Sequence, residues 1–198
     1  EAGKLTAYRL GVPEIRQYTG SLKAGDRVFL SGTVYTARDA AHKKIFELLD
    51  DNKPLPFEIK DAVIYYAGPT PARPVLDLTT PAHDDIIIGS CGPTTSGRMD
   101  GFAPRLYDLG LAATIGKGER STAVSEAIVR NKAAYLCAVG GAGALISLHI
   151  KDAEEIAFHE LGCESVKKLT VEDMPLLVAL DCSGGDIFRE GREKYRLV

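Results

Sequence analysis

The sequence predicts an α/β protein built on a mixed sheet, and three observations carry that expectation. A β-branched run at Ile86-Ile87-Ile88 stops at glycine and a small polar loop follows to Gly97. Apolar residues at Met99, Phe102, Leu106 and Leu109 then recur at helical spacing up to Gly110. A second unit of this kind passes from the alternating segment Arg27–Thr36 into an apolar helical face formed by Ala40, Ala41, Ile45, Leu48 and Leu49. After Ala134 the chain is rich in short strand-like runs. Two strand–helix units and a strand-rich remainder make an α/β sandwich of mixed sheet type. At 198 residues it reads as one domain over 1–198, with residues 1–20 as an N-terminal extension.

Composition narrows the classes of partner. Hydrophobic residues make up 45% of the chain and charged ones 26%, enough for a sizeable core. A net charge of −3 gives no footing for nucleic acid or an anionic membrane. No apolar run reaches membrane-spanning length and the first residues lack a signal-peptide pattern, so a cytoplasmic protein is expected. Cys91, Cys137, Cys163 and Cys182 show neither C-x-x-C nor zinc-type spacing, and read as reduced thiols with no metal among their duties. Cys91 lies in the polar loop, where a buried small residue is the expected role.

In chain order, a short helical turn is expected after Pro13. Arg27–Thr36 reads as one strand interrupted by Gly32 or as a strand pair, and Asp39 as the N-cap of a helix ending near Asp51. Ala62–Ala67 is a strand. The proline-bearing stretch 70–81 reads as a surface loop or a flap, with a short strand around Val75–Leu78. Pro104 is expected to kink or restart the helix after the polar loop. Leu111–Ile115 is a strand ending at Gly116-Lys117-Gly118, and if it runs parallel to Ile86–Ile88 both loops open on one sheet edge. A helix over 119–132 follows, capped by Ser121 if it starts later. A strand at Ala134–Val139 leads to Gly140-Gly141-Ala142-Gly143, expected to pack closely against the site edge. Glu155–His159, Val166–Val171 and Leu176–Asp181 read as separate short strands, with His149 and His159 structural.

The chemistry is expected at the two strand–helix junctions. Thr94, Thr95 and Ser96 fall where the free N–H groups of a helix N-terminus point, an anion site. Arg98 adds a planar fork for a carboxylate, and Lys117 brings a second cation to the same edge. The alternative is a Gly-Pro turn before a capped helix with a surface arginine. Arg38 is a second junction arginine. His42, one turn on, is a proton-handling or carboxylate-binding group, or else a helix-surface histidine.

Gly92-Pro93-Thr94-Thr95-Ser96-Gly97-Arg98-Met99-Asp100, followed by Lys117-Gly118-Glu119-Arg120-Ser121, closely resembles the iron–sulfur class I fumarate hydratases and their L-tartrate dehydratase relatives. The resemblance runs from about Leu22 to Phe188. It implies a swivelling β/β/α domain, found as the C-terminal domain of a long chain or as a separate β subunit, and here the β subunit. It implies a hydro-lyase active only as part of a two-subunit enzyme, hydrating fumarate to L-malate. A [4Fe-4S] cluster would be carried by the partner α subunit, with none bound by this chain alone. An α2β2 assembly or a homodimer of β subunits would follow, with a small dicarboxylate as substrate. Thr94 would move the proton next to a carboxylate, with Lys117 and Arg98 depressing its pKa. Arg38, whose segment Arg-Asp-Ala-Ala-His also matches, would hold the other carboxylate, with Thr95 and His42 in the substrate-binding set. L-Tartrate dehydration to oxaloacetate, or a non-catalytic dicarboxylate-binding module, are the alternatives.

Overall fold

A computed structural model of the chain describes residues 6–71 and 88–196. The main sheet is mixed, as expected, but it closes on itself. Its seven strands are β1 (Ala7–Gly11), β2 (Arg27–Thr36), β3 (Val63–Tyr65), β6 (Ala113–Gly116), β7 (Ala134–Cys137), β9 (Val166–Leu180) and β8 (Ile150–Ala157), in that order across the sheet. β1, β2, β3, β6 and β7 pair in parallel, while β9 runs antiparallel to both β7 and β2. The β9–β2 pairing joins the sheet's two sides, so five strands (β2, β3, β6, β7 and β9) form a barrel rather than one layer of an open sandwich. Closure removes two exposed edges.

The period of two along each strand sorts side chains between two cores. Val28, Leu30, Val34, Val63, Tyr65, Ile115, Leu136 and Leu169 fill the barrel interior. The alternate residues Ile64, Tyr66 and Tyr135 face outward. They are covered by α2 (Asp39–Asp50), α3 (Ala103–Asp108) and α4 (Thr122–Arg130), which contribute Ala41 and Ile45, Leu106 and Tyr107, and Val124 and Ile128. Residues 7–18 are integral: β1 extends the sheet and α1 (Ile15–Tyr18), after a tight turn begun with Pro13, plugs the interior with fully buried Ile15.

Several expectations are corrected. Val166–Leu180 is one strand, not two. The polar Glu172-Asp173 pair that suggested a turn is absorbed as a bulge, with Asp173 at φ 48° and its N–H donated to the Ser31 hydroxyl at 2.9 Å. The extra residue switches the inward set from Leu169 and Val171 to Met174, Leu176 and Val178. β2 likewise continues through Gly32 as a single strand. Among the described residues β5 (Ile88–Ser90) pairs only with β4 (Thr70–Pro71), in a separate two-stranded sheet, and is not a parallel neighbour of β6. Ile86, Ile87 and the strand expected at Val75–Leu78 lie outside the described residues. Helix α3 restarts with Pro104 in its first turn, after a separate 3-10 turn over Ser96–Met99. Among the described residues no helix is long and apolar enough to cross a membrane.

Candidate functional site

The polar loop reaches Lys117 by a backbone ladder. Pro93 bridges Ala67, and the Thr94 N–H donates to the Tyr66 carbonyl at 2.6 Å. The Lys117 N–H then donates to the Thr94 carbonyl at 3.2 Å, and the Ser96 N–H to the Lys117 carbonyl at 2.9 Å. Residues 94–96 thus lie like a short extra strand between the ends of β3 and β6. Ser96 is buried and accepts from the Tyr135 hydroxyl at 2.9 Å. A Cβ at Gly116 would overlap the Ser96 hydroxyl, so only glycine allows this approach.

The helix end expected after Thr95 takes the form of a 3-10 turn. Ser96–Met99 is a four-residue 3-10 turn, Thr95 makes no side-chain cap, and the Ser96 N–H is already donated to Lys117. Thr94 is half-buried, and Thr95 and Lys117 are exposed. Among the described residues neither threonine hydroxyl has a hydrogen-bond partner and Lys117 has no ion pair.

Two arginines flank this point, each already facing a carboxylate. Arg98 grips Asp39 in two-pronged fashion, through Nε on Oδ1 at 3.0 Å and Nη2 on Oδ2. Asp39 is therefore the first residue of α2 rather than its N-cap, a position held by Arg38. Burial alone would raise the Asp39 pKa, but the Arg98 hydrogen bond, a backbone hydrogen bond and the charges of Arg98 and Arg38 together outweigh it and hold the carboxyl below its usual range. Arg38 meets Glu164 at 3.3 Å, and Glu164 also accepts the Ala40 N–H at 3.2 Å, serving the start of α2. Among the described residues the buried Arg38 Nε has no partner, and its guanidinium sits so close to Gly68 that a Cβ there would lie 2.8 Å from Nη1.

His42 is neither on the helix surface nor open to a ligand. Its ring is fully buried against Tyr66 and Phe102, Nδ1–H donates to the Arg38 carbonyl at 2.9 Å, and Nε2 has no partner. Burial lowers its pKa to about 4, with the Arg120 cation adding to the effect. Cys91 takes the expected buried role. Burial pushes its thiol up to about 12, and its backbone joins the Gly143 carbonyl and the Tyr65 hydroxyl. Gly143 packs against Ser90 and Gly92, and Gly140 lies beside the Lys117 stem, as expected of the glycine cluster. His149 and His159 bond to the Glu172 carbonyl and to Glu155.

Sequence reasoning missed Asp39 and Glu164 as partners of the two arginines. Glu164 carries no local signal, because it arrives from a 3-10 turn over His159–Glu164 far along the chain. Among the described residues no three His, Cys, Asp or Glu side chains converge to hold a metal ion.

The fold is that of a mixed α/β barrel domain with two paired arginines at this end and, among the described residues, a lysine without an ion pair and two threonine hydroxyls without hydrogen-bond partners. The chain belongs to the family described as Fumarase C-terminus, whose model matches residues 3–191. It is 38% identical over 179 residues to fumarate hydratase 2 of Leishmania major and 38% identical over 179 residues to the anaerobic class I fumarate hydratase of Escherichia coli. Those matches take in 89% of this chain but only 30% and 31% of the two relatives, so the chain spans about a third of their length. The L(+)-tartrate dehydratase subunit beta of Escherichia coli is 28% identical over 177 residues, covering 88% of this chain and 83% of that subunit.

Proposed function

We propose that this chain is the β subunit of a hydro-lyase that reversibly hydrates fumarate to L-malate together with an iron–sulfur α subunit. The observation that carries this reading is the ladder that seats Thr94 beside Lys117 and unites two motifs distant in sequence. The names of the relatives support it, and one of them is itself a β subunit. In this reading the domain is of the swivelling β/β/α type, the enzyme is cytoplasmic, and the assembly is α2β2 or built on a β homodimer.

This chain's donor set does not fit a cluster: its cysteines are scattered and no metal-holding group forms among the described residues. In this reading the [4Fe-4S] cluster is carried by the α subunit, as the family resemblance implies, and this chain supplies the proton-handling and anion-holding side. The Thr94 hydroxyl takes or returns the proton at the carbon beside a carboxylate. A hydroxyl is a poor base alone, so the unpaired Lys117 cation and, behind it, Arg98 favour its ionised form. Arg38 exchanges Glu164 for a substrate carboxylate, and Arg98 does the same with Asp39, converting internal ion pairs into substrate contacts. Thr95 adds a hydroxyl at the rim. His42 acts from behind, its Nδ1–H steadying the Arg38 carbonyl at the start of α2. As charge moves into the carboxylate, the cations stabilise it.

The test is anaerobic fumarate hydration by this chain mixed with a cluster-loaded α subunit. Activity is expected only in the mixture, with Thr94→Ala lowering kcat by about a hundredfold or more. Absence of activity in the loaded complex would refute the reading. Tight dicarboxylate binding by the isolated chain, measured by titration calorimetry, would then favour a binding module. L-Tartrate is run in parallel, because this chain covers most of a tartrate dehydratase β subunit.

A further inference from the structure

We propose that Arg120 is a positioning residue for this site, and that its ion pair with Asp100 holds residues 94–98 in register with Lys117. The proposal rests on the reading of Thr94 and Lys117 as the reacting side of a hydro-lyase. Nothing in the proposed chemistry uses Arg120. Yet its side chain is 0% exposed, the most buried cation in any ion pair among the described residues.

Its contacts tie together the two segments that carry the site. Arg120 Nε donates to Asp100 Oδ1 at 2.6 Å, and Asp100 Oδ2 accepts the Ser121 N–H at 2.5 Å. Asp100 closes the 3-10 turn over Ser96–Met99, whereas Arg120 and Ser121 come shortly after Lys117, past Gly118 and Glu119. The clamp therefore fastens the downstream ends of both segments, while the backbone ladder fastens their upstream ends. The guanidinium also donates to the Thr114 hydroxyl at 3.1 Å and lies over the rings of Tyr66 and Tyr135, at 5.3 and 4.8 Å. Those two tyrosines are the anchors of the ladder itself. The Tyr66 carbonyl accepts from Thr94, and the Tyr135 hydroxyl shares its one proton between the Ser96 hydroxyl and the Gly118 carbonyl.

Burying a cation costs several kcal/mol unless its partners are well placed, and apolar packing could join two loops without that penalty. What a guanidinium adds is direction: a planar fork addresses Asp100, Thr114 and Tyr66 at once from one rigid group. A lysine presents one ammonium on a flexible stem and cannot reproduce this. Burial opposes the charge, but the Asp100 carboxylate paired with it helps to keep Arg120 cationic.

The test compares Arg120→Lys and Asp100→Asn with Met174→Ala, a barrel-interior substitution facing Leu30 at a different part of the fold. Each is assembled with the cluster-loaded α subunit. Two quantities are read: kcat and KM for fumarate and L-tartrate, and backbone amide hydrogen exchange at Ser96 and Lys117. Arg120→Lys is expected to lower kcat about a hundredfold, as a misplacement of about 1 Å does. KM should change much less, and exchange at those two amides should rise relative to the rest of the barrel. Asp100→Asn should follow in the same direction, and it carries the test if the Arg120 variant does not fold. Met174→Ala should lose stability but keep kcat. Wild-type kcat and protection in Arg120→Lys and Asp100→Asn, or a kcat loss no greater than that of Met174→Ala, would overturn the proposal. If the unsubstituted complex turns over neither substrate, the hydro-lyase reading fails, and the exchange comparison still decides whether Arg120 positions the loop.

Discussion

Replacing His42 by Asn should remove most of the loss of stability that the protein suffers between neutral pH and pH 4. The imidazole sits in a closed space, with ring centroids 5.5 Å from Tyr66 and 5.4 Å from Phe102. Its Nδ1–H is satisfied by the Arg38 carbonyl, and its Nε2 has nothing to donate to once protonated. Burial is the main force on its pKa. The Arg38 carbonyl and Asp39 favour the proton, Arg120 opposes it, and the outcome is a fall from 6.5 to about 4. The unfolded chain therefore binds a proton below about pH 6.5 that the folded chain refuses until about pH 4. Stability is at its full value above pH 6.5 and declines as the pH falls through that window. A pKa difference of this size corresponds to about 3 kcal/mol by pH 4. Asn can still donate to the Arg38 carbonyl but does not titrate. The carboxylates that titrate in the same range are common to both proteins, so their difference isolates His42. The chain has no Trp, so urea unfolding is followed by circular dichroism, from pH 7.5 to pH 4. The stability gap between wild type and His42→Asn should shrink or invert by roughly 3 kcal/mol across that range. A gap that stays constant would refute the assignment of a buried, neutral imidazole.

Arg16→Met should lower stability by about 2 kcal/mol, a fall of several degrees in Tm, because the guanidinium donates to the Gly110, Asn131 and Lys132 carbonyls after α3 and α4 and also meets Asp61. An unchanged melting curve would show those contacts to be idle. Gly116→Ala places a methyl group on the Ser96 hydroxyl and 3.0 Å from the Tyr66 ring, so it should shift the Thr94 loop and lower kcat of the assembled enzyme about a hundredfold. Wild-type turnover would argue against tight seating of that loop. Iodoacetamide should alkylate native Cys163 first and Cys91 last, because Cys163 is exposed whereas Cys91 is buried with its thiol pushed up to about 12. Peptide mass spectrometry gives the order, and early labelling of Cys91 would contradict its burial.

Local pattern was legible where the physics is local. The alternation in Val28-Phe29-Leu30 and the apolar face of Ala41 and Ile45 led to β2 and α2 almost residue for residue, and Pro104 restarts a helix as its missing N–H requires. Pattern failed where tertiary pairing overrides it. Glu172-Asp173 has the composition of a turn, yet the pairing of β9 with β2 on either side absorbs the dipeptide as a bulge. The run at Ile86–Ile88 has the composition of a central strand, yet its described end pairs with Thr70–Pro71 outside the main sheet.

For the site, the sequence by itself determined which residues are chemically notable: Thr94, Thr95, Arg98, Lys117, Arg38 and His42 are all in motifs that can be read without coordinates. It also determined the glycines, since Gly116 and Gly143 mark close backbone approaches. The tertiary structure alone decided how these residues are used. It laid residues 94–96 down as a strand-like ladder, committed Arg98 to Asp39 and Arg38 to Glu164, sealed His42 away from water, and left Lys117 without an ion pair among the described residues. The reason is that pairing, burial and dielectric environment depend on which distant segments meet. Barrel closure brings Glu164, Tyr135 and Arg120 to an end of the sheet defined by Tyr66 and Gly116, and no spacing along the chain encodes that meeting.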